Sequence, residues 1–121
     1  MINYKEARAG NLVMYDNRLF QIEAISRSLP CLNTDEFGIG VVDWNNINPI
    51  PLTPEILEKC GFDRNCILKI SQGVNIEWSY GKEVWLTKEG EVIYEFENTQ
   101  HLHQLQNIYF ALTSTELNYT P

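Results

Sequence analysis

Two histidines separated by one residue, His101 and His103, are the side chains with the spacing closest to that of a metal site. Imidazole nitrogens bind Zn²⁺ and other transition metals. On a strand both rings would lie on one side. The surrounding pattern instead predicts a helix, on which residues two apart point roughly 200° apart around the axis. No third ligand lies nearby in the sequence, so we predict surface or helix-capping histidines and no metal site.

Four glutamates lie in or next to the last predicted strand: Glu89, Glu91, Glu95 and Glu97. Paired carboxylates carry out acid–base catalysis only in a cleft that shifts their pKa values. On an exposed strand face they instead keep a protein soluble or protect the edge of a sheet. The pattern favours this second role, so we predict no catalytic carboxylate.

The three cysteines, Cys31, Cys60 and Cys66, indicate reduced thiols. An odd number without a close pair fits neither a disulfide framework nor a zinc site. A catalytic cysteine needs a basic and partly exposed environment, whereas Cys60 falls on the apolar side of a short predicted helix. No serine has a nucleophile-elbow context, and no glycine-rich loop leads into a helix. The sequence therefore predicts neither an enzyme nor a cofactor.

Charge is unevenly distributed along the chain. The 121 residues carry a net charge of -7. Residues 1–27, however, hold four basic side chains (Lys5, Arg8, Arg18 and Arg27) against three acidic ones, a balance of +1. A protein that binds phosphates by charge needs a basic face, and only this segment could provide one. Nucleic-acid binding is therefore the less favoured, alternative function.

Alternating apolar residues predict a small β unit at the N-terminus. Two strands, at residues 12–15 and 19–25, flank Asp16-Asn17, a dipeptide that tolerates the positive φ angles of a tight hairpin turn. Residues 26–38 contain proline, asparagine and glycine, which predicts an irregular segment, and residues 39–44 form a third predicted strand. Three short strands suit a small curled sheet of the SH3-like kind.

The middle of the chain predicts a short helix followed by an antiparallel meander. Thr53 and Pro54 are typical of a helix start, and Gly61 is typical of a helix stop. In the last strand of the meander apolar residues alternate with glutamates, which predicts one buried and one solvated face. The predicted strands lie at residues 66–71, 75–80, 83–87 and 91–96. The residues of the last strand predicted to point into the core are Val92, Tyr94 and Phe96.

A helix over residues 100–112, capped by Asn98 or Thr99, is predicted to close the fold. Its apolar residues recur at helical spacing and form the predicted buried face. The opposite side is polar but uncharged, whereas a solvent-facing helix usually carries charges, so this side hints at a partner. The predicted buried residues are Leu102, Leu105, Tyr109 and Leu112. The candidate partner surface consists of Gln104, Gln106, Asn107 and the off-face aromatic Phe110.

Together these elements predict a single α+β domain over residues 1–121. It comprises a small N-terminal β unit, a short helix, and an antiparallel meander closed by a C-terminal helix. The length suits one domain with one core. No apolar stretch approaches the ~20 residues of a membrane-spanning helix, and the N-terminus lacks a signal-peptide pattern. We therefore expect a cytoplasmic protein that does not enter a membrane.

Three segments follow one another in a recognisable order. The first is Arg8-Ala9-Gly10-Asn11-Leu12-Val13; the second, residues 48–62, contains Pro-Ile-Pro-Leu-Thr-Pro-Glu and ends in Gly-Phe; the third, residues 103–113, reads His-Gln-Leu-Gln-Asn-Ile-Tyr-Phe-Ala-Leu-Thr. Together they resemble a family of small proteins from phages and prophages of Bacteroidetes bacteria. The chain departs from the pattern at Ser114, where the family has a glycine suited to a left-handed helix stop.

The resemblance implies a phage-related, cytoplasmic origin in a bacterial host cell, but it implies no activity and no functional residue. We therefore expect a non-enzymatic protein-binding or assembly module of phage or prophage type, with a protein partner or self-association. The alternative is a nucleic-acid-associated accessory protein that uses the N-terminal β unit.

Overall fold

The computed structural model describes residues 2–34, 38–79 and 83–121. Within these ranges it confirms the predicted α+β class, with nine strands in two antiparallel sheets. The strands are β1 (Leu12–Tyr15), β2 (Arg18–Ser26), β3 (Leu29–Thr34), β4 (Gly38–Val41), β5 (Ile47–Asn48), β6 (Ile67–Ser71), β7 (Val74–Ser79), β8 (Glu83–Lys88) and β9 (Glu91–Phe96). The helices are α1 (Pro54–Lys59) and α2 (Leu102–Thr113), and a 3-10 turn spans Trp44–Asn46.

The chain divides into two compact units, and each is described by itself. Unit 1 comprises Met1–Pro51 and His101–Asn107, and unit 2 comprises Leu52–Gln100 and Ile108–Pro121. Helix α2 therefore begins in unit 1 and ends in unit 2. That residues 1–121 behave as one domain stays a prediction.

Unit 1 is built on a five-stranded antiparallel sheet with the order β4-β3-β2-β1-β5. Four strands form a meander, and after the 3-10 turn the fifth returns beside the first, which is the strand order of SH3-like barrels. The predicted turn at Asp16-Asn17 is confirmed, with φ angles of 52° and 58°. The side chains at the centre of the core are Ile2, Val13, Ile22, Leu32, Val42 and Ile47.

The prediction of an irregular segment at residues 26–38 was wrong, because β3 occupies Leu29–Thr34. The turn into this strand is made by Arg27 and Ser28, whose φ angles are 51° and 66°. Such residues rarely adopt positive φ, so the hairpin had none of the usual glycine, asparagine or aspartate signals. The next strand, β4, is shorter than predicted and ends at Val41.

Unit 2 contains a four-stranded antiparallel meander with the order β6-β7-β8-β9. The predicted helix signals before it are confirmed. The hydroxyl of Thr53 accepts the Ile56 N–H at 3.2 Å, and Gly61 adopts a φ of 93°. The predicted turn at residues 81–82 lies outside the described residues. The buried apolar side chains of this unit are Leu52, Leu57, Cys60, Phe62, Cys66, Ile76, Val84 and Leu117.

The predicted buried face of β9 was wrong. Val92 and Tyr94 are exposed, and Phe96 is half-buried. The register shifts between Leu86 and Thr87, since Leu86 lies opposite Tyr94 but Thr87 lies opposite Val92. The extra residue breaks the simple alternation of faces. Among the described residues β9 pairs with β8 alone, so it forms an edge of this sheet.

Helix α2 begins later than predicted. Asn98 and Thr99 do not cap it; the residue before its first turn is His101, whose N–H donates to Oε1 of Gln104 at 3.1 Å. This reciprocal contact is one half of a capping box. Ser114 adopts a φ of 58° after the last turn, so the left-handed stop forms without glycine. Of the predicted buried side chains, Leu102 and Leu105 are buried, whereas Leu112 is exposed.

Candidate functional site

The amide group of Gln106 serves the β unit of its own chain. Its side chain is only 3% exposed. Its Oε1 accepts the Leu12 N–H at 2.8 Å, and its Nε2 donates to the Gly10 carbonyl at 3.3 Å. Gln106 thus pairs two backbone groups at the start of β1, and a charged side chain could not replace both its donor and its acceptor.

Asn107 is bonded in a similar way, and its partner is the fully buried Asn11. Nδ2 of Asn11 donates to Oδ1 of Asn107 at 2.8 Å, and Nδ2 of Asn107 donates to the Glu6 carbonyl at 2.7 Å. Oδ1 of Asn11 also accepts the Arg8 N–H at 2.8 Å. Gln104 completes the set, since its Nε2 donates to Oε2 of Glu6 at 3.2 Å.

The missing charge on this side of α2 therefore has an explanation within unit 1. The amides of Gln104, Gln106 and Asn107 bond to the N-terminal segment, so their neutrality does not by itself indicate a partner. Phe110 stays a predicted partner contact, because its side chain is exposed. Sequence reasoning could not have found this network, because its bonds join residues almost a hundred positions apart.

The two histidines lie side by side, contrary to the helical argument. Their ring centroids are 5.9 Å apart and the rings are nearly parallel, at 16°. The reason is that His101 precedes α2 and pairs with Pro51 in a β-bridge. The prediction of a surface or capping position was wrong for His103, which is buried. Its Nε2 lies 3.1 Å from Oε2 of Glu6. Within the three described ranges, no three His, Cys, Asp or Glu side chains are grouped to hold a metal ion.

The buried His103 should make the stability of the protein depend on pH. Burial lowers its pKa from the ordinary 6.5, and the hydrogen bond to Glu6 opposes this shift. As pH falls through about 6.5, the unfolded chain gains a proton that the folded chain does not yet bind, so the folded state loses stability. When the pH falls from about 7.5 to about 5.5, His103→Gln should therefore lose less of its free energy of unfolding than the wild type does. Urea unfolding at both pH values measures this difference.

The matched control for this titration is His101→Gln, which removes the neighbouring ring but leaves the buried one. This variant should keep most of the pH dependence of the wild type, because the charge of His101 is the smallest of the causes that shift the pKa of His103. If His103→Gln lost as much stability on acidification as the wild type, another group would be responsible.

The cysteines are buried thiols, as predicted, and all three are free. Burial raises the pKa of Cys60 to about 11. A thiol with so high a pKa supplies almost no thiolate at neutral pH, and thiolate is the reactive form. Cys60 is therefore a packing residue of unit 2.

A cleft of about 440 Å³ opens beside α1 in unit 2. Its acidic residues Glu55 and Glu58 are exposed, so water screens them, and they lack the desolvated setting of catalytic carboxylates. The third, Asp63, accepts the N–H groups of Asn65 and Ile67 at 2.8 Å and 3.1 Å. It therefore shapes the turn before β6. The cleft is lined by Pro54, Glu55, Glu58, Phe62, Asp63, Arg64 and Cys66.

Strand β9 exposes three consecutive apolar side chains: Val92 at 45%, Ile93 at 53% and Tyr94 at 58%. Glutamates flank them, and Glu91, Glu95 and Glu97 are all exposed. Within the described ranges, β9 pairs with β8 alone. The predicted exposure of the glutamates is confirmed, but their predicted common face was wrong: Glu91 lies opposite Lys88 and Glu95 lies opposite Trp85, so the register shift places the two on opposite faces.

Strand β4 turns its apolar side chains outward as well. Ile39 is 66% exposed and Val41 is 54% exposed. The one glycine between them, Gly40, lies on the core side, since it is opposite the buried Leu32. Sequence reasoning placed a strand here without assigning its faces, although glycine at alternate positions was a signal that the inner side has no side chains to bury.

The basic residues of the N-terminal segment are dispersed. The guanidinium of Arg8 donates to the carbonyls of Ala9 at 2.9 Å and Gln106 at 3.3 Å. The guanidinium of Arg18 lies 5.3 Å from the ring centroid of Phe20. Lys5 and Arg27 are exposed. Two of the four cations are thus engaged within unit 1.

In the part of the chain that the structure describes, no helix has both the length and the apolar character needed to cross a membrane. Comparisons of the chain with protein-family models, with curated proteins and with solved structures find no match.

Proposed function

We propose that the protein is a non-enzymatic protein-binding or assembly module of phage or prophage type that acts in the cytoplasm of a bacterial host cell. The observation that carries this proposal is the exposed apolar run Val92-Ile93-Tyr94 on the edge strand β9. Edge strands offer unpaired backbone groups, and extended segments of other proteins add to such edges by main-chain hydrogen bonds.

The charges on β9 specify the chemistry of the partner. Glu91 and Glu95 flank the apolar run, and the chain as a whole carries a net charge of -7. Like charges placed opposite each other destabilise strand pairing, whereas opposite charges support it. The partner that fits is an extended segment in which lysine or arginine accompanies apolar residues.

Three side chains of types that often act in catalysis have structural roles instead, which supports a non-enzymatic function. His103 is buried against Glu6, Cys60 is a buried thiol with a raised pKa, and Asp63 bonds the backbone of its own turn. A catalytic site requires such groups to converge in a cleft around a reacting atom. The hydrogen bonds described above do not join these three side chains into one cluster.

Nucleic-acid association stays a prediction of the sequence. Binding to phosphates by charge needs several cations on one face. Arg8 bonds to backbone carbonyls of unit 1, and Arg18 lies over Phe20, so the local positive balance is not concentrated in a single group of side chains.

The β9 surface can be tested by affinity capture from phage-infected or prophage-carrying bacteria, followed by identification of the captured protein and measurement of its Kd. The variant Ile93→Ser/Tyr94→Ser removes two exposed apolar side chains and should fold normally. We expect it to bind the identified partner at least about tenfold more weakly, a loss of about 1.4 kcal/mol. Added salt should weaken binding further, because the partner segment is basic.

Phe110→Ser is the matched control, since it removes an exposed aromatic side chain on α2 instead of β9. If β9 alone forms the binding surface, this variant should bind as the wild type does, and the sequence prediction that Phe110 contacts the partner would then be wrong. If Phe110→Ser lost the partner while the β9 variant kept it, the binding surface would lie on the helix and the proposal for β9 would be wrong.

A further inference from the structure

Strand β4 reverses the usual arrangement of a half-buried strand. In a small antiparallel sheet, apolar side chains normally face the core and polar ones face water. Here Ile39 and Val41 face water, and Gly40, which lies between them, is opposite the buried Leu32. The core of unit 1 gains nothing from these two side chains, so their exposure requires another explanation.

The edge of β4 also lacks the features that usually protect an edge strand. Native edges carry charges, prolines or bulges that limit pairing between copies of the same chain. The strand reads Gly-Ile-Gly-Val, with no charge and no proline, and its pairing with β3 runs without a register shift from Cys31 to Thr34. In the described residues, β3 is its only strand neighbour.

We propose that β4 is a self-association surface, at which two copies of the chain pair antiparallel, edge to edge, about a two-fold axis through Gly40. This register places Ile39 of each copy opposite Val41 of the other. Residues directly opposite each other lie on the same face of a sheet, and apolar β-branched pairs stabilise it. The four side chains then form one apolar patch, and a two-fold interface of this kind closes without forming a fibre.

Electrostatics explains why a second copy fits β4 but not β9. A two-fold axis through Ile93 would place Glu91 opposite Glu95 of the other copy, and Glu89 opposite Glu97. Those like-charge pairs oppose self-pairing at β9. Strand β4 contains no charged residue, so the same operation pairs no charged residues within the strand. The occupant of β4 is therefore a second copy, and the occupant of β9 is a different, basic segment.

The area available at β4 sets the strength of the dimer. Two four-residue strands bury on the order of a few hundred Å², well below the roughly 1,200 Å² of a stable interface. The dimer should therefore be transient and appear only at high protein concentration. Because each copy carries a net charge of -7, added salt should strengthen the dimer by screening repulsion between the copies. This is the opposite of the salt effect expected for a basic partner at β9.

Sedimentation velocity of the full chain, from about 10 µM to about 1 mM and at low and high salt, tests this inference. The wild type should shift from monomer to dimer as concentration and salt rise. Ile39→Lys places a charge beside its counterpart in the other copy and should weaken association at least about tenfold. Val92→Lys is the matched control, because it makes the same kind of change on β9, and it should dimerise as the wild type does.

Cross-linking provides a second test that does not depend on the lysine variant. Ile39→Cys and Val41→Cys proteins are mixed, both in a Cys31→Ala background because Cys31 lies opposite Val41 within the chain. Under oxidation the mixture should form a disulfide dimer faster than either protein alone. The proposal would be overturned if the wild type stayed monomeric at every concentration, or if Ile39→Lys did not weaken the dimer. It would also be overturned if Ile39→Cys alone cross-linked as fast as the mixture. None of these results bears on partner capture at β9.

Discussion

Replacing Gln106 by leucine is expected to lower the free energy of unfolding by about 2–3 kcal/mol. Leucine has a similar size but no polar atoms, so the Leu12 N–H loses its side-chain acceptor, and the Gly10 carbonyl loses one of its two side-chain donors and keeps Nε2 of Gln21 at 3.4 Å. Each buried polar group left without a hydrogen bond costs about 1–3 kcal/mol. Urea unfolding followed by far-UV circular dichroism would measure the loss.

Gln104→Leu is the matched control for this substitution. It makes the same chemical change two residues earlier on α2, at a side chain that is only half-buried. Water can replace the lost bonds there, so the expected cost is about 1 kcal/mol. Equal losses in the two variants would show that the burial of Gln106, and its bonds to β1, do not determine the stability of unit 1.

The bonds of Gln106 and Asn107 also give the neutral side of α2 a second explanation, which the sequence did not reveal. An uncharged polar helix side is compatible with a partner protein or with buried hydrogen bonds inside the chain. The difference depends on which backbone groups approach it, and those of Gly10 and Leu12 are far away in the sequence. Local periodicity correctly located the helix and its buried Leu102 and Leu105, but it could not identify what the polar side contacts.

Elements with local signals were predicted well. Asp16-Asn17 formed its hairpin, and the Thr53-Pro54 start and the Gly61 stop marked α1. These features depend on the conformational preferences of two or three adjacent residues, so the sequence is enough to predict them. The α+β class follows from the same signals, because each strand of the meander is bounded by a turn.

The errors have the opposite origin. Strand β3 was missed because its turn uses Arg27 and Ser28 in a conformation that neither residue favours. The faces of β9 were misassigned because a register shift depends on pairing with β8, which the sequence of β9 alone does not encode. Both proposed interaction surfaces belong to this second category. Their apolar residues were visible in the sequence, but their exposure depends on which neighbour each strand acquires.

Replacing Leu32 by alanine is expected to cost about 3 kcal/mol of the free energy of unfolding, within the usual range of about 2–5 kcal/mol for a buried leucine. Leu32 is fully buried in the central cluster of unit 1, and it lies opposite Gly40. Glycine has no side chain that could move into the space left by the leucine. The resulting cavity should therefore persist, and its cost adds to the lost burial of the side chain.

Leu29→Ala, on the same strand β3, is the matched control because Leu29 is exposed. The expected loss is below about 1 kcal/mol. Chemical unfolding of both variants at one pH would compare them directly. If the two losses were similar, the residues around Leu32 would be able to close the cavity. In that case β4 would be able to move toward the core, and the fixed outward direction of Ile39 and Val41, on which self-pairing depends, would lose its structural basis.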